Sequence, residues 1–234
     1  MPVIAIIGAG PGMGLAIART FGKQGYKVAL LSRNPAKQDS LVAALANEGI
    51  EAAAFRTDVL DRASIGSGLA NVKQRFGPID VLEYSPADQG LPLASISQLT
   101  HDNIQIAFDF DLHGALDAVQ AVLPDMQARR AGTIIFTTGA LSVYPHLGNK
   151  MFANFAIAGA ALRAYTQALH AALAPSGIQV AHVAIGAWIG KQPGAAPEAI
   201  APLYWQLHSE RDEAEKVFFP ETTQTPQSGS EATA

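Results

Sequence analysis

The chain reads as a single α/β domain, a doubly wound parallel sheet with helices on both faces. Three observations point there. Short, nearly continuous apolar runs alternate with longer helical stretches along most of the chain. The first run passes directly into a glycine-rich turn and then into a helical stretch. The 234 residues are 49% hydrophobic and only 15% charged, against an ordinary charged share of about 25%. Runs continuous in apolar residues suit strands covered on both faces, whereas a sheet with one wet face shows alternation. Repeated βα units with right-handed crossovers then build the sheet.

Strands are expected at 3–7, 27–32, 51–57, 80–83, 133–137 and 179–184, and helices at 13–24, 38–47, 62–75, 102–129 and 151–174. A late amphipathic helix is expected over 195–207, with Ile200, Leu203, Tyr204 and Leu207 on one face, followed by a short strand at 217–219. The domain is expected to span 1–220. Beyond Pro220, 221–234 carries no large apolar residue and reads as a flexible tail.

Composition excludes several functions. Sixteen basic and twenty acidic residues give a net charge of −4, which speaks against a nucleic-acid-binding face. The absence of cysteine rules out a disulfide scaffold and any thiolate zinc site. No His-x-x-x-His or paired-carboxylate pattern suggests a metal. No apolar run approaches the roughly 18 residues of a membrane span, so a cytoplasmic location is expected.

The turn after the first strand is Gly8-Ala9-Gly10-Pro11-Gly12-Met13-Gly14. Strand, glycine loop and helix together form a phosphate site: glycines admit the backbone to a pyrophosphate, and the helix N-terminus offers N–H groups and partial positive charge. Met13 stands where G-x-G-x-x-G would need its last glycine, and no Gly-Lys pair completes a P-loop. The pattern that fits is Gly8-x-x-x-Gly12-x-Gly14. The second strand ends at Ser32-Arg33-Asn34, without the acid that accepts from a ribose 2′-hydroxyl in NAD sites. A hydroxyl and a fixed cation suit a 2′-phosphate instead, so NADP is expected over NAD. Asp58, followed by Val59, stands either to accept from an adenine amine or to cap the helix beginning near Asp61.

With these residues the chain resembles the short-chain dehydrogenase/reductase family over most of its length. The likeness continues through Phe110-Asp111-Leu112-His113-Gly114, Gly132-Thr133-Ile134-Ile135, Phe155 to Leu162, Gly177-Ile178-Gln179-Val180 and Ile185-Gly186-Ala187-Trp188-Ile189. It implies a Rossmann-like sheet, a nicotinamide cofactor and a small-molecule ligand. It also implies a homodimer or homotetramer joined through helices 102–129 and 151–174. Ser85, Ala87, Ile185, Gly186 and Ile189 are expected beside the cofactor, although the family's Asn-Asn-Ala-Gly is altered to Glu83-Tyr84-Ser85-Pro86-Ala87.

The family's catalytic set is not preserved. Its proton-donating Tyr falls on Phe155 and its Lys, four residues on, on Gly159; its Ser falls near Gly139, with Ser142 close by, and its Asn on Asp111. No Tyr-x-x-x-Lys occurs anywhere in the chain. Removing a general acid typically costs about 10²–10⁴ in rate. Tyr144 or His146, on the long stretch between the fifth strand and the next helix, is the expected substitute donor. Asp111 could act as a base or orient His113 or a water. His170 and His182 read as core or interface histidines. Two readings without redox chemistry stand beside the oxidoreductase: a protein that keeps the nucleotide as a structural or sensing ligand, and an isomerase or cyclase using an apolar pocket around Phe155, Trp188 and Trp205.

Overall fold

The computed structural model describes residues 1–220; the expected tail at 221–234 lies outside them. The strands are β1 (Val3–Ile7), β2 (Lys27–Ser32), β3 (Ala52–Arg56), β4 (Val81–Tyr84), β5 (Gly132–Gly139), β6 (Ile178–Ile185) and β7 (Glu215–Phe218). They form one sheet in the order β3-β2-β1-β4-β5-β6-β7, and every neighbouring pair is parallel. The chain reverses its direction of travel across the sheet between β1 and β4. In doubly wound folds ligands bind at the carboxyl ends of the strands beside that switch point.

The helices are α1 (Met13–Gly22), α2 (Asp39–Asn47), α3 (Arg62–Phe76), α4 (His101–Phe108), α5 (Gly114–Arg129), α6 (Ala153–Leu173), α7 (Pro197–Ile200) and α8 (Pro202–Glu210). Ala5, Ile7, Leu82, Ile134 and Phe136 pack under α3, α5 and α6 in one apolar layer. Ile4, Ile6, Val28, Leu30 and Ile135 pack under α1, α2, α7 and α8 in the other. Burial on both faces explains the continuous apolar runs.

Four expectations shift. The strand at 217–219 forms two residues earlier, where Glu215 pairs in register with His182. The helix at 195–207 divides at Ala201, because Pro202 lacks the N–H that would carry it on. Met151 and Phe152 form a turn ahead of α6. Finally, 102–129 is interrupted by a π-turn, Asp109–His113, closed by Gly114 N–H donating to the Asp109 carbonyl.

That π-turn has a visible partner. The buried Tyr84 hydroxyl donates to the Phe110 carbonyl over 2.5 Å. The approach depends on Gly114, since a Cβ there would stand 2.2 Å from the Tyr84 oxygen.

The larger apolar residues of α6 turn toward the sheet and its neighbouring elements. Leu162 is core, and Phe155, Tyr165 and Leu169 pack against it. The outward positions are Ala164, Gln167, Ala168, Ala171 and Ala172.

Candidate active site

A cavity of about 560 Å³ opens at the switch point, at the carboxyl ends of the strands. Its floor is the glycine loop, from Gly8 to Pro11. Gly8 takes φ +93°, and its N–H and that of Ala9 both donate to the Leu31 carbonyl, at 3.0 and 3.2 Å. This fold-back ties the loop to the end of β2. Gly12 occupies the N-cap of α1 with no side chain to cap the first turn, and no acid lies in that turn. A helix start left in that state favours an anion. Gly14 serves packing instead, with the position of its absent Cβ only 2.8 Å from Ala9 Cα.

Ser32, Arg33, Asn34, Asp58, Val59 and Ala87 line the cavity. Asp58 does not cap α3. Its carboxylate accepts from Leu60 N–H at 3.1 Å, and Asp61 caps the helix by accepting from Ser64 N–H. Met13, Ser85, Ile185, Gly186 and Ile189 do not line the cavity. The Ser85 hydroxyl turns inward to Glu83, and Gly186 sits beneath the Phe219 ring.

Several lining groups escaped the sequence reading. Lys37 adds a second exposed cation near Arg33, and Gln38, only 3% exposed, donates its amide to the Ala9 carbonyl at 2.7 Å. The other amide atom, Gln38 Oε1, is buried without a partner. A Pro-initiated turn over Pro35–Gln38 brings both residues to the loop. Arg33 is engaged by Asp88 at 2.6 Å. The Gly90 N–H, more than the Arg33 guanidinium, holds the Asp88 carboxyl below its usual range.

Phe155, expected where the family has its Tyr, belongs to an apolar wall. Phe155 meets Phe110 edge to face, with centroids 6.2 Å apart, and Phe110 lines the cavity. Asp111 stands in the π-turn beside α6, where burial pushes its carboxyl up to about 7. His113 pairs with Asp109 at 2.7 Å and not with Asp111. Ser142 is buried, bonded to Thr138 and Gly139. Tyr144 rests on Phe219 and His146 is exposed beside it, both away from the cavity lining. No common apolar pocket joins Phe155 to both tryptophans. Trp205 packs on Phe21, Tyr26 and His208, in the layer on the other side of the sheet, while Trp188 meets Phe152.

Among the described residues no group of three or more His, Asp or Glu could hold a metal, and no helix is long and apolar enough to cross a membrane.

A cavity at the switch point of an all-parallel, doubly wound sheet defines a Rossmann-like protein, and relatives narrow the class. A family model of the short chain dehydrogenases matches residues 2–189. The chain is 30% identical over 212 residues to a 2,3-dihydro-2,3-dihydroxybenzoate dehydrogenase of Bacillus subtilis, covering 91% of this chain and 75% of that one. It is 30% identical over 215 residues to a galactitol 2-dehydrogenase of Agrobacterium fabrum, covering 85% and 81%. A short-chain dehydrogenase structure from Rhodopseudomonas palustris superposes with a TM-score of 0.81 at 26% identity, covering 94% of this chain and 98% of that one. The chain belongs to the short-chain dehydrogenase/reductase family.

Proposed function

We propose that the chain is an NADP(H)-dependent oxidoreductase of this family whose acid–base groups differ from the usual Tyr and Lys. The observation that carries the reading is the cavity's cationic side. Arg33 and Lys37 stand beside it, and no acid occupies the end of β2. A 2′-phosphate there would meet a guanidinium fork and an ammonium, the donors suited to it. The glycine loop and uncapped α1 start would hold the pyrophosphate, and Asp58 and Val59 would flank the adenine. When bound, the nicotinamide supplies or accepts hydride. Phe110 and Phe155 give that region an apolar wall that limits water. In this reading the protein works in the cytoplasm as a homodimer or homotetramer, joined along helices 102–129 and 151–174, on a small carbonyl or alcohol.

Calorimetric titration with NADPH and NADH tests it. NADPH binds more tightly, and Arg33→Ala weakens it about 10- to 100-fold while leaving NADH nearly unchanged, the range of a charge-assisted hydrogen bond. Asp88→Asn strengthens NADPH binding, because it removes the carboxylate that competes for Arg33. Binding of neither nucleotide would falsify the reading.

Phe155 and Gly159 favour a second reading, a bound nucleotide without redox turnover. The variant Phe155→Tyr/Gly159→Lys separates the two. A Cβ at 159 stands 3.3 Å from Ser142 Cβ, a tight fit that a small shift relieves. Under the redox reading this pair sustains NADPH-dependent reduction of ketones at or above the parent rate. If the parent is inert on a panel of ketones, enones and imines and the variant gains reduction, the scaffold positions nicotinamide but no longer uses it.

A further inference from the structure

A row of polar groups crosses the sheet under α6, behind the positions that Phe155 and Gly159 have emptied. Thr138 on β5 lies with Oγ1 2.8 Å from His182 Nε2 on β6. His182 Nδ1 lies 3.0 Å from Glu215 Oε2 on β7. Arg163 of α6 grips both oxygens of that carboxylate, the second at 2.7 Å. His182 is 0% exposed and Ser142 4%, whereas Thr138 is partly exposed and its neighbour Gly139 exposed. Thr138 Cβ is 3.8 Å from where a Cβ on Gly159 would stand. The row therefore surfaces beside Gly159, near the expected Ser and Lys positions of the family and outside the lining of the cavity described above.

The protons in the row can be assigned. Arg163 holds the Glu215 carboxyl below its usual range. An ionised carboxylate facing Nδ1 requires the single proton of a neutral imidazole to sit on Nδ1. Nε2 is then a bare acceptor, and the Thr138 hydroxyl donates to it. Ser142 donates to the Gly139 carbonyl at 2.9 Å. A second proton on the imidazole reverses the row: Nε2–H donates to Thr138, and Thr138 donates to Ser142 Oγ at 2.8 Å. The two states share every bond but one: Thr138 donates to Ser142 only when the imidazole carries both protons, so a proton passing through Thr138 makes or breaks that single bond.

Resting on the redox reading above, we propose that Thr138, His182 and Glu215 form a proton relay in place of the absent Tyr and Lys. The Thr138 hydroxyl exchanges a proton with the substrate oxygen, and His182 is the reservoir behind it. In alcohol oxidation the substrate O–H bond breaks, and its proton passes to Thr138 Oγ1 while the Thr138 proton passes to Nε2. The C–H electron pair leaves as hydride to the oxidised nicotinamide. Reduction is the reverse and consumes the reduced nicotinamide and one proton. Glu215 and Arg163 are positioning residues that fix the imidazole tautomer, the part a carboxylate plays behind a catalytic histidine. The charged and titratable groups around His182 are Glu215 from β7, Arg163 from α6 and, beyond Arg163, Tyr144. Burial first, then the guanidinium, lowers the imidazole's proton affinity, and Glu215 opposes both.

The test combines nitrogen-15 NMR of histidine-labelled full-length protein with turnover of an alcohol and ketone panel using the nicotinamide nucleotide that binds. His182 shows the Nδ1–H tautomer, neutral at pH 7. Thr138→Val shifts the Nε2 signal, keeps Nδ1–H, and lowers kcat by about 10²–10⁴-fold with KM within a few-fold, the span of a lost general acid or base. Thr138→Ser, which keeps the hydroxyl, restores most of the turnover. A proton found on Nε2, or Thr138→Val turning over like the parent, overturns the relay alone. Failure of the parent to bind either nucleotide overturns the redox reading, and the relay's role with it.

Discussion

Glu83→Gln stabilises the chain strongly at pH 9 and hardly changes it at pH 5. Glu83 sits in the middle of β4, 0% exposed, accepting from Ser85 and Thr137 hydroxyls at 2.8 Å each. Those donors favour the ionised form, but burial outweighs them and pushes its carboxyl up to about 8 from 4.5. A tenfold change in proton affinity between the folded and unfolded chain is worth about 1.4 kcal/mol. Because the folded value lies above the unfolded one, the neutral carboxyl's contribution is complete below about pH 4.5 and is lost as pH rises through 8. Forcing the charge above that value costs roughly 3–5 kcal/mol, and a glutamine has no charge to force. Asp111, pushed up to about 7, adds a loss of the same sign at slightly lower pH. Urea midpoints measured from pH 5 to pH 9 check this. The parent loses stability over that range, and most of the loss disappears in Glu83→Gln. A parent midpoint that stays flat or rises from pH 7 to pH 9 would contradict the assignment.

Gly8→Ala costs about 3–5 kcal/mol, the range of a substitution that forces backbone apart at a strained position. The Cβ would stand 2.5 Å from Pro86 Cα and from the Ser85 carbonyl, both backbone, at a residue held at φ +93°. Neither neighbour can rotate away. Gly10→Ala is the control, because a Cβ there meets nothing within 4 Å yet enters the cavity side of the loop. Gly10→Ala keeps the parent's urea midpoint and loses nucleotide affinity, whereas Gly8→Ala loses both. Equal midpoints for the two variants would show that β1 and the Ser85-Pro86 backbone can separate freely.

The sheet was legible because burial on both faces writes each strand as an unbroken apolar run, and the glycine loop was legible because Gly8 needs a positive φ and Gly14 a close approach to Ala9. Departures came where one side chain overrides a periodic pattern. The π-turn at Asp109–His113 rests on a hydrogen bond from Tyr84, 26 residues away in the chain, and no helical periodicity encodes that. Lys37 and Gln38 reach the cavity through a turn whose direction the sequence does not state. His182 reads correctly as a core histidine, but its partners come from β5, β7 and α6, elements brought together only by the fold. Glu83 did leave a signal: a lone carboxylate inside the apolar run Val81–Tyr84, on a strand with no wet face, has to be buried. Trp205 was misassigned because an aromatic residue late in the chain does not reveal which face of the sheet its helix covers.

The π-turn also divides one long helix into two surfaces that face different ways. One extra residue in a turn advances the helical phase by roughly 100°, so the surface presented by α4 is not continuous with that presented by α5. Phe110, at the break, belongs to the cavity wall, while Asp117 farther along meets Arg62 on α3. Substitutions that reshape the ligand's surroundings can therefore accumulate on one side of the break without disturbing how the other side packs.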